Sequence, residues 1–478
     1  MSSLEKSRHF NPRGGTASCL AIALLMVATA AWSAPGDLLW ENRGQTDPES
    51  NLRAIDAEGH IVVGTGESGQ CTYPTFNTCH WFVRALDTRT GEMLWQDRLD
   101  TSGSFGSAAA VAIDCGQVFA AGWIRIAGQP EDLFIRAYSL KKGKLLWEKR
   151  VHRAAWTERA FSLKVHDGRV FVAGNVASAS RREEFALLVF DARTGSPLWE
   201  SEVAGVPNPF NYAFARAGAV TTQDERVFVA GSMTSTAPSG ISLLVRAHDA
   251  RTGLLLWQDE VPDAELNLNP TTWGALATFG NLLFVAGGVS TPNPQFGQDF
   301  MVRAYDSRTG ILKWVDVVHR QAGGAASRLA VGDGGLFAYG WDCSEEFFNC
   351  HGNVRAYNPR TGKLRWEARF SGEGGDALIP TDALEVHGHQ VIVGASLLTA
   401  QQDRYEWTVR SFNAGDGTLR WESSSTDAGF LSTPEALKFS GGRLFAGGST
   451  AKSDDTDEFT IRAYRARYDD DKDADEAD

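Results

Sequence analysis

Two stretches of this chain place a cysteine pair beside a histidine. CTYPTFNTCHW begins at Cys71 and CSEEFFNCHGN at Cys343. His80 follows Cys79 directly, and His351 follows Cys350. Two thiolates and an imidazole can hold zinc, but neither spacing is that of a zinc motif. The expectation is two local disulfides, Cys71–Cys79 and Cys343–Cys350, stapling exposed loops, with no metal site and with Cys115 left over. The same two histidines also belong to a longer series. His80, Asp132, Glu184, Asp299, His351, Glu406 and Glu458 each stand four residues before a recurring arginine or, for Glu184, before Leu188. Ser242 is the exception. Such a series can edge one face of the molecule and make a multipoint contact with a cationic partner. The blander reading, which we prefer, is that it solvates strand entries or pairs with the arginines themselves.

Those arginines are Arg84, Arg136, Arg246, Arg303, Arg355, Arg410 and Arg462, with Leu188 breaking the run. An inward guanidinium on a sheet requires carboxylate or carbonyl partners, so they are expected to pair between strands or blades. Two further arginines, Arg53 and Arg328, occupy positions where other copies of the pattern carry Ala110, Ser162, Ala219, Ala275, Ala383 and Ala436. They are candidates to point into a central channel toward an anionic ligand. Other matches fail on context. GTGESG at Gly64 leads to no helix, and HGH at His387 lies where other copies carry a turn. The terminal DDDKDADEAD lacks the glycine and final acid of a calcium loop and reads as a disordered acidic tail, 469–478. There is no H-E-x-x-H and no recognisable nucleophile–histidine–acid set.

The elements that must position these groups are announced by tryptophan. Trp40, Trp95, Trp147, Trp199, Trp257, Trp314, Trp366 and Trp421 follow one another at intervals of 52 to 58 residues. That period suits one propeller blade of four strands, A to D. Strand B recurs eight times in forms such as VFVAGN and LFAYGW, and strand C also recurs eight times, ending with TIRAYRA at Thr460. The last C strand has no tryptophan after it, and Trp40 has no C strand before it. The missing ends complement each other. The expected fold is all-β: an eight-bladed propeller of four-stranded antiparallel blades over 34–468, closed by the N-terminal strand pairing with the last blade. Closure removes exposed sheet edges.

VRAYDSRTGILKW, from Val302 to Trp314, shows the local logic. Asp306 is placed to cap a turn, and Gly310 to take the left-handed conformation that closes it. Trp314 suits a wedge against the neighbouring blade, with its indole N–H satisfied. All eight tryptophans are read as scaffold.

The formal charge is −13, which argues against nucleic-acid or anionic-membrane partners. A basic start, the apolar run from Leu20 to Ala31 and the small-x-small Ala31-Trp32-Ser33 read as a signal peptide cleaved after Ser33. The mature chain is expected to be periplasmic or secreted and monomeric, with no transmembrane segment.

The pattern Ala-x-Asp-x-x-Thr-Gly-x-x-x-Trp, complete in ALDTRTGEMLW (Ala85–Trp95) and AYDSRTGILKW (Ala304–Trp314), resembles the repeat of the pyrroloquinoline quinone (PQQ) propellers. Some other copies depart from it, as at Asn358 and Lys142. The resemblance implies an eight-bladed propeller over nearly the whole mature chain. It is shared by PQQ dehydrogenases and by cofactor-free members such as the outer-membrane assembly lipoprotein. The enzymes carry adjacent cysteines and, in some, a Cys-x-x-Cys-His haem motif, and this chain has neither. The lipoprotein carries a lipidated N-terminal cysteine, which is also missing. The expectation is therefore an exported, non-catalytic binding or scaffold propeller without cofactor. Its partner would be a protein or another envelope component held on the face of the D–A and B–C loops. The alternative is a PQQ- and calcium-dependent oxidoreductase.

Overall fold

The computed structural model describes residues 34–466 except 45–49, 70–78, 100–104, 127, 154–155, 180–181, 208–212, 237–239, 263–274, 291–297, 321–322, 344–349, 376–377, 380, 428 and 453–455. The expected signal peptide, the acidic tail and Cys71 lie outside the described residues. Every regular element described is a β-strand. The strands form eight antiparallel sheets, seven built from consecutive strands and one from both ends of the chain.

Blade 3 illustrates the plan, with strands A to D at Arg159–His166, Arg169–Ala177, Glu183–Asp191 and Pro197–Ala204. The sequence placed its A strand at Ala160–Val165, and pairing carries it one residue further at each end. Strands B and C are central and buried on both faces, so they read as apolar runs such as VFVAG instead of alternating. Strand D is outermost and alternates between half-buried and exposed positions. The A strands of successive blades touch one another around the whole ring and so surround its axis. Apolar clusters lie between blades: Phe337 and Val354 of blade 6 pack with Val391 and Val393 of blade 7.

The ring closes as the sequence predicts. The N-terminal strand, Leu38–Arg43, pairs antiparallel with Asp457–Arg465, setting Trp40 opposite Ala463. Within blade 5 the same register sets Trp314 opposite Ala304. Even the turn is rebuilt from two chain ends. Gly36 N donates to Arg465 O at 2.7 Å, and Arg465 N donates to Asp37 O at 3.0 Å. These match the Gly310–Asp306 and Asp306–Ile311 bonds of blade 5, at 2.9 and 2.8 Å.

Each motif tryptophan docks under the next blade's turn. Trp314 Nε1 donates to Pro359 O at 3.0 Å, and its ring lies against Gly362, where a Cβ would come within 2.6 Å of it. Gly362 has φ +70°, so the glycine serves both the left-handed turn and the close approach. Asp306 Oδ1 accepts from Arg308 N and Thr309 N, both at 3.1 Å, which fixes the turn itself. At the closing seam Trp421 reaches only Gln390 Oε1 at 3.1 Å. Gln390 Nε2 then passes the contact on to Ala466 O at 2.6 Å. Gly36, at φ +89°, covers the Trp421 ring in place of a turn glycine.

Candidate functional site

Strand A carries a one-residue bulge in most blades, and the bulged residues include Arg53 in blade 1, Ser327 in blade 6 and Glu435 in blade 8. This corrects one expectation. Arg328 pairs with Tyr339 in the register in which Ala54 pairs with Thr65, so Arg328 does match the small-residue series and Arg53 does not. Arg53 stands on the bulge, level with Glu435. A bulge adds a residue without any mark in the composition, so counting along the chain from the turn misplaces what precedes it.

Around the axis these residues form a belt over blades 6, 7, 8, 1 and 2. Arg328 Nε donates to Asp382 O at 3.0 Å, and its Nη2 lies 3.0 Å from Asp382 Oδ2. Arg53 Nε donates to buried Glu67 at 3.1 Å, and Glu67 also accepts from Ser107 Oγ of blade 2. Glu435 lies in the field of both arginines, yet burial outweighs them and pushes its carboxyl up to about 7. A second group follows along the A strands. Lys438 Nζ lies 3.0 Å from Asp56, and Glu385 accepts from Phe439 N at 3.1 Å. Burial pushes Glu385 up to about 7 as well. Sequence reasoning missed Glu67, Asp382, Glu385 and Glu435. Glu435 is itself a strand-A bulge residue, Glu67 stands on strand B, Glu385 on the short A strand of blade 7 and Asp382 just before it, so no single position of the repeat marks them.

The series at the C-strand entries is dispersed and locally neutralised. Asp132 is fully buried and takes Arg150 and His152 Nδ1, the latter at 2.6 Å. Asp299, also buried, is bound by His319. His351 Nδ1 lies 3.4 Å from Arg369 Nη2. Glu406 accepts from Thr426 Oγ1 at 3.4 Å, and burial raises its carboxyl. Glu458 lies 3.2 Å from Lys452 and 3.8 Å from Arg43. His80 and Glu184 are half-buried at their strand entries. The partners come mainly from the ends of the D strands, not from the arginine series. Four residues along a strand span about 13 Å, too far for a direct pair.

The arginine series staples blades together instead. Arg355 Nε donates to Tyr357 Oη at 2.7 Å, and its Nη atoms reach Glu367 at 2.7 Å and Asp316 of the preceding blade at 3.2 Å. Arg136 repeats this with Glu148 at 2.8 Å and Asp97 at 2.7 Å. These acids stand one and two residues after a motif tryptophan.

Cys343 and Cys350 form a disulfide, and Cys79 is disulfide-bonded, its expected partner Cys71 lying outside the described residues. Cys115 is a free, exposed thiol in a turn at φ 49°. Among the described residues no three His, Cys, Asp or Glu side chains converge on a point suited to a metal ion. No described helix is long and apolar enough to cross a membrane.

This closed ring of eight tryptophan-docked blades is that of a PQQ-like-repeat propeller. The family model described as outer membrane protein assembly factor BamB matches residues 28–237 and 298–457, and the chain belongs to that family. No curated protein matches the sequence significantly. Among solved structures, the chain is similar to quinohemoprotein alcohol dehydrogenase ADHIIG from Pseudomonas putida HK5. The TM-score is 0.55 at 12% identity, covering 90% of this chain and 76% of that one. The quinohemoprotein alcohol dehydrogenase from Comamonas testosteroni gives 0.53 at 13% identity, over 90% and 76% of the two chains. A europium-containing methanol dehydrogenase gives 0.55 at 11%, over 90% and 93%. At such identity these likenesses concern the fold.

The fold raises the question of a quinone site. PQQ is a tricarboxylate and would require cations free to receive it. The two axial arginines are already matched by Glu67 and Asp382, and Glu435 lies between them. This belt does not fit the cofactor.

Proposed function

We propose that this chain is an exported, non-catalytic PQQ-like-repeat propeller. In this reading it binds a protein or another envelope component through its D–A and B–C loop face, in the periplasm or outside the cell. The observation that carries the reading is the compensated axial belt. Where a quinone enzyme needs free cations, Arg53 and Arg328 are spent on internal carboxylates. Membership of the BamB family supports a binding role, since that family's description is one of assembly. The disulfide between Cys343 and Cys350 staples a B–C loop, as suits a loop that must hold its shape in an oxidising compartment.

Titration of purified protein with PQQ and Ca²⁺ is expected to leave the quinone absorbance unshifted and to yield no dye-linked alcohol oxidation. Tight binding with turnover would replace this reading with that of an oxidoreductase. In parallel, photocrosslinkers placed in the D–A and B–C loops should capture a partner that crosslinkers in the C–D turns do not. Equal capture from both faces would contradict the assigned surface.

A further inference from the structure

Three seams share one interlocking triad. Arg136 and Tyr138 both reach Asp97, each at 2.7 Å. Tyr305 reaches Asp259 at 2.8 Å, with Arg303 3.5 Å away. Tyr357 and Arg355 reach Asp316 at 2.8 and 3.2 Å. The seam between blades 2 and 3 departs at all three positions together. The arginine is Leu188, the tyrosine is Phe190, and the acid two residues after the tryptophan is Lys149. The space the triad fills elsewhere is here a groove of about 550 Å³. That is large enough for a small organic ligand.

We propose that this groove binds a small amphipathic monocarboxylate with an aromatic or branched apolar body. Its floor is Leu188 and Phe190, only 2% and 3% exposed, and Val151 and Leu198 line its sides. Lys149 borders it with no hydrogen-bond or ion-pair partner among the described residues, unlike the cations beside it. Arg150 is taken by Asp132, and Arg153 is taken by Glu200 and Glu202. One uncompensated ammonium over an apolar floor selects one negative charge attached to an apolar group. A dianion would bring its second charge toward Glu200, which also lines the groove, and would find no second free cation. The site is distinct from the axial belt; it lies between the D strands of blades 2 and 3 and meets the loop face only at His152 and Arg153.

The test is calorimetric titration of the whole chain with 4-phenylbutyrate, and with 4-phenylbutanol as its uncharged counterpart. Saturable one-site binding is expected, with the alcohol about tenfold weaker because it forfeits one charge-assisted contact. K149M should bring the two ligands to equal affinity while leaving the apolar floor intact. The double variant L188R/K149D recreates the arginine–aspartate pair of the other seams and should abolish binding while keeping the wild-type near-ultraviolet circular dichroism. Absence of saturable binding to wild-type protein would overturn the proposal, as would unchanged affinity for 4-phenylbutyrate in both variants.

Discussion

The seam between blades 5 and 6 and the seam between blades 3 and 4 have the same register and opposite electrostatics. In the first, Tyr357 lies over Trp314 with centroids 5.9 Å apart, and Asp316 answers both Tyr357 and Arg355. In the second, His248 lies over Trp199 at the same 5.9 Å, but Ser201 stands where the acid should be. Arg246 then has Ser201 Oγ at 2.8 Å, and its Nε has no partner. His248 donates from Nδ1 to Gly253 O at 3.0 Å, while its Nε2 is buried and unsatisfied. Burial, with the Arg246 charge nearby, holds His248 down to about 4. The ring therefore tolerates loss of the staple because apolar packing and tryptophan docking carry the seam. The polar groups left behind make that seam the acid-sensitive one.

Four experiments sharpen this contrast. The largest effect is expected from D316A, which removes the acceptor of the buried Tyr357 hydroxyl and one of the two acids of buried Arg355, leaving that guanidinium only Glu367. A loss of about 3 kcal/mol is expected in urea unfolding, against under about 1 kcal/mol for S201A. Equal losses would mean that the staple contributes nothing. Next is pH. His248 binds its proton more readily unfolded than folded, so stability is complete above the unfolded value near 6.5. It falls as pH drops toward about 4, by at most about 3 kcal/mol. H248Y should flatten that acid limb in melting curves, and an unchanged slope would reassign it to another group.

Glu435 has the opposite sign. Its folded value is raised to about 7, so its contribution is present at and below the unfolded value of 4.5 and is lost as pH rises through 7. E435Q should remove about 2 kcal/mol of that decline. A wild-type decline in the variant would exclude the axial belt as its source. The smallest effect is S201D, which supplies the missing acid and should stabilise by about 1 kcal/mol. A loss of stability would show that Arg246 and the new carboxylate do not meet.

Legibility followed distance along the chain. The turn and its tryptophan could be read because Asp306, Gly310 and Trp314 act within one hairpin, and the split copy at Gly36–Trp40 is readable by the same rule. The arginine series was visible as a period, but its partners were not. They lie just after a tryptophan in the same blade and in the one before, and only docking brings them into reach. The entry series at Asp132 and Asp299 was visible too, while its pairing with His152 and His319 was not, because those histidines come from the far end of strand D. The axial acids were the least visible: Glu435 sits on a strand-A bulge, Glu67 on strand B and Asp382 before strand A, so they share no position of the repeat.

Repeat spacing, turn residues and the complementary broken ends determined the architecture from the sequence alone. They act through local dihedral preferences and a two-residue strand period that any unfolded chain already carries. Tertiary structure decided which charges cancel: Arg53 with Glu67, Arg328 with Asp382, and, among the described residues, no partner for Lys149. Those pairings depend on distances of a few ångströms between neighbouring strands and blades. Coulomb energy in a buried setting changes steeply over such distances, and sequence separation carries no record of them.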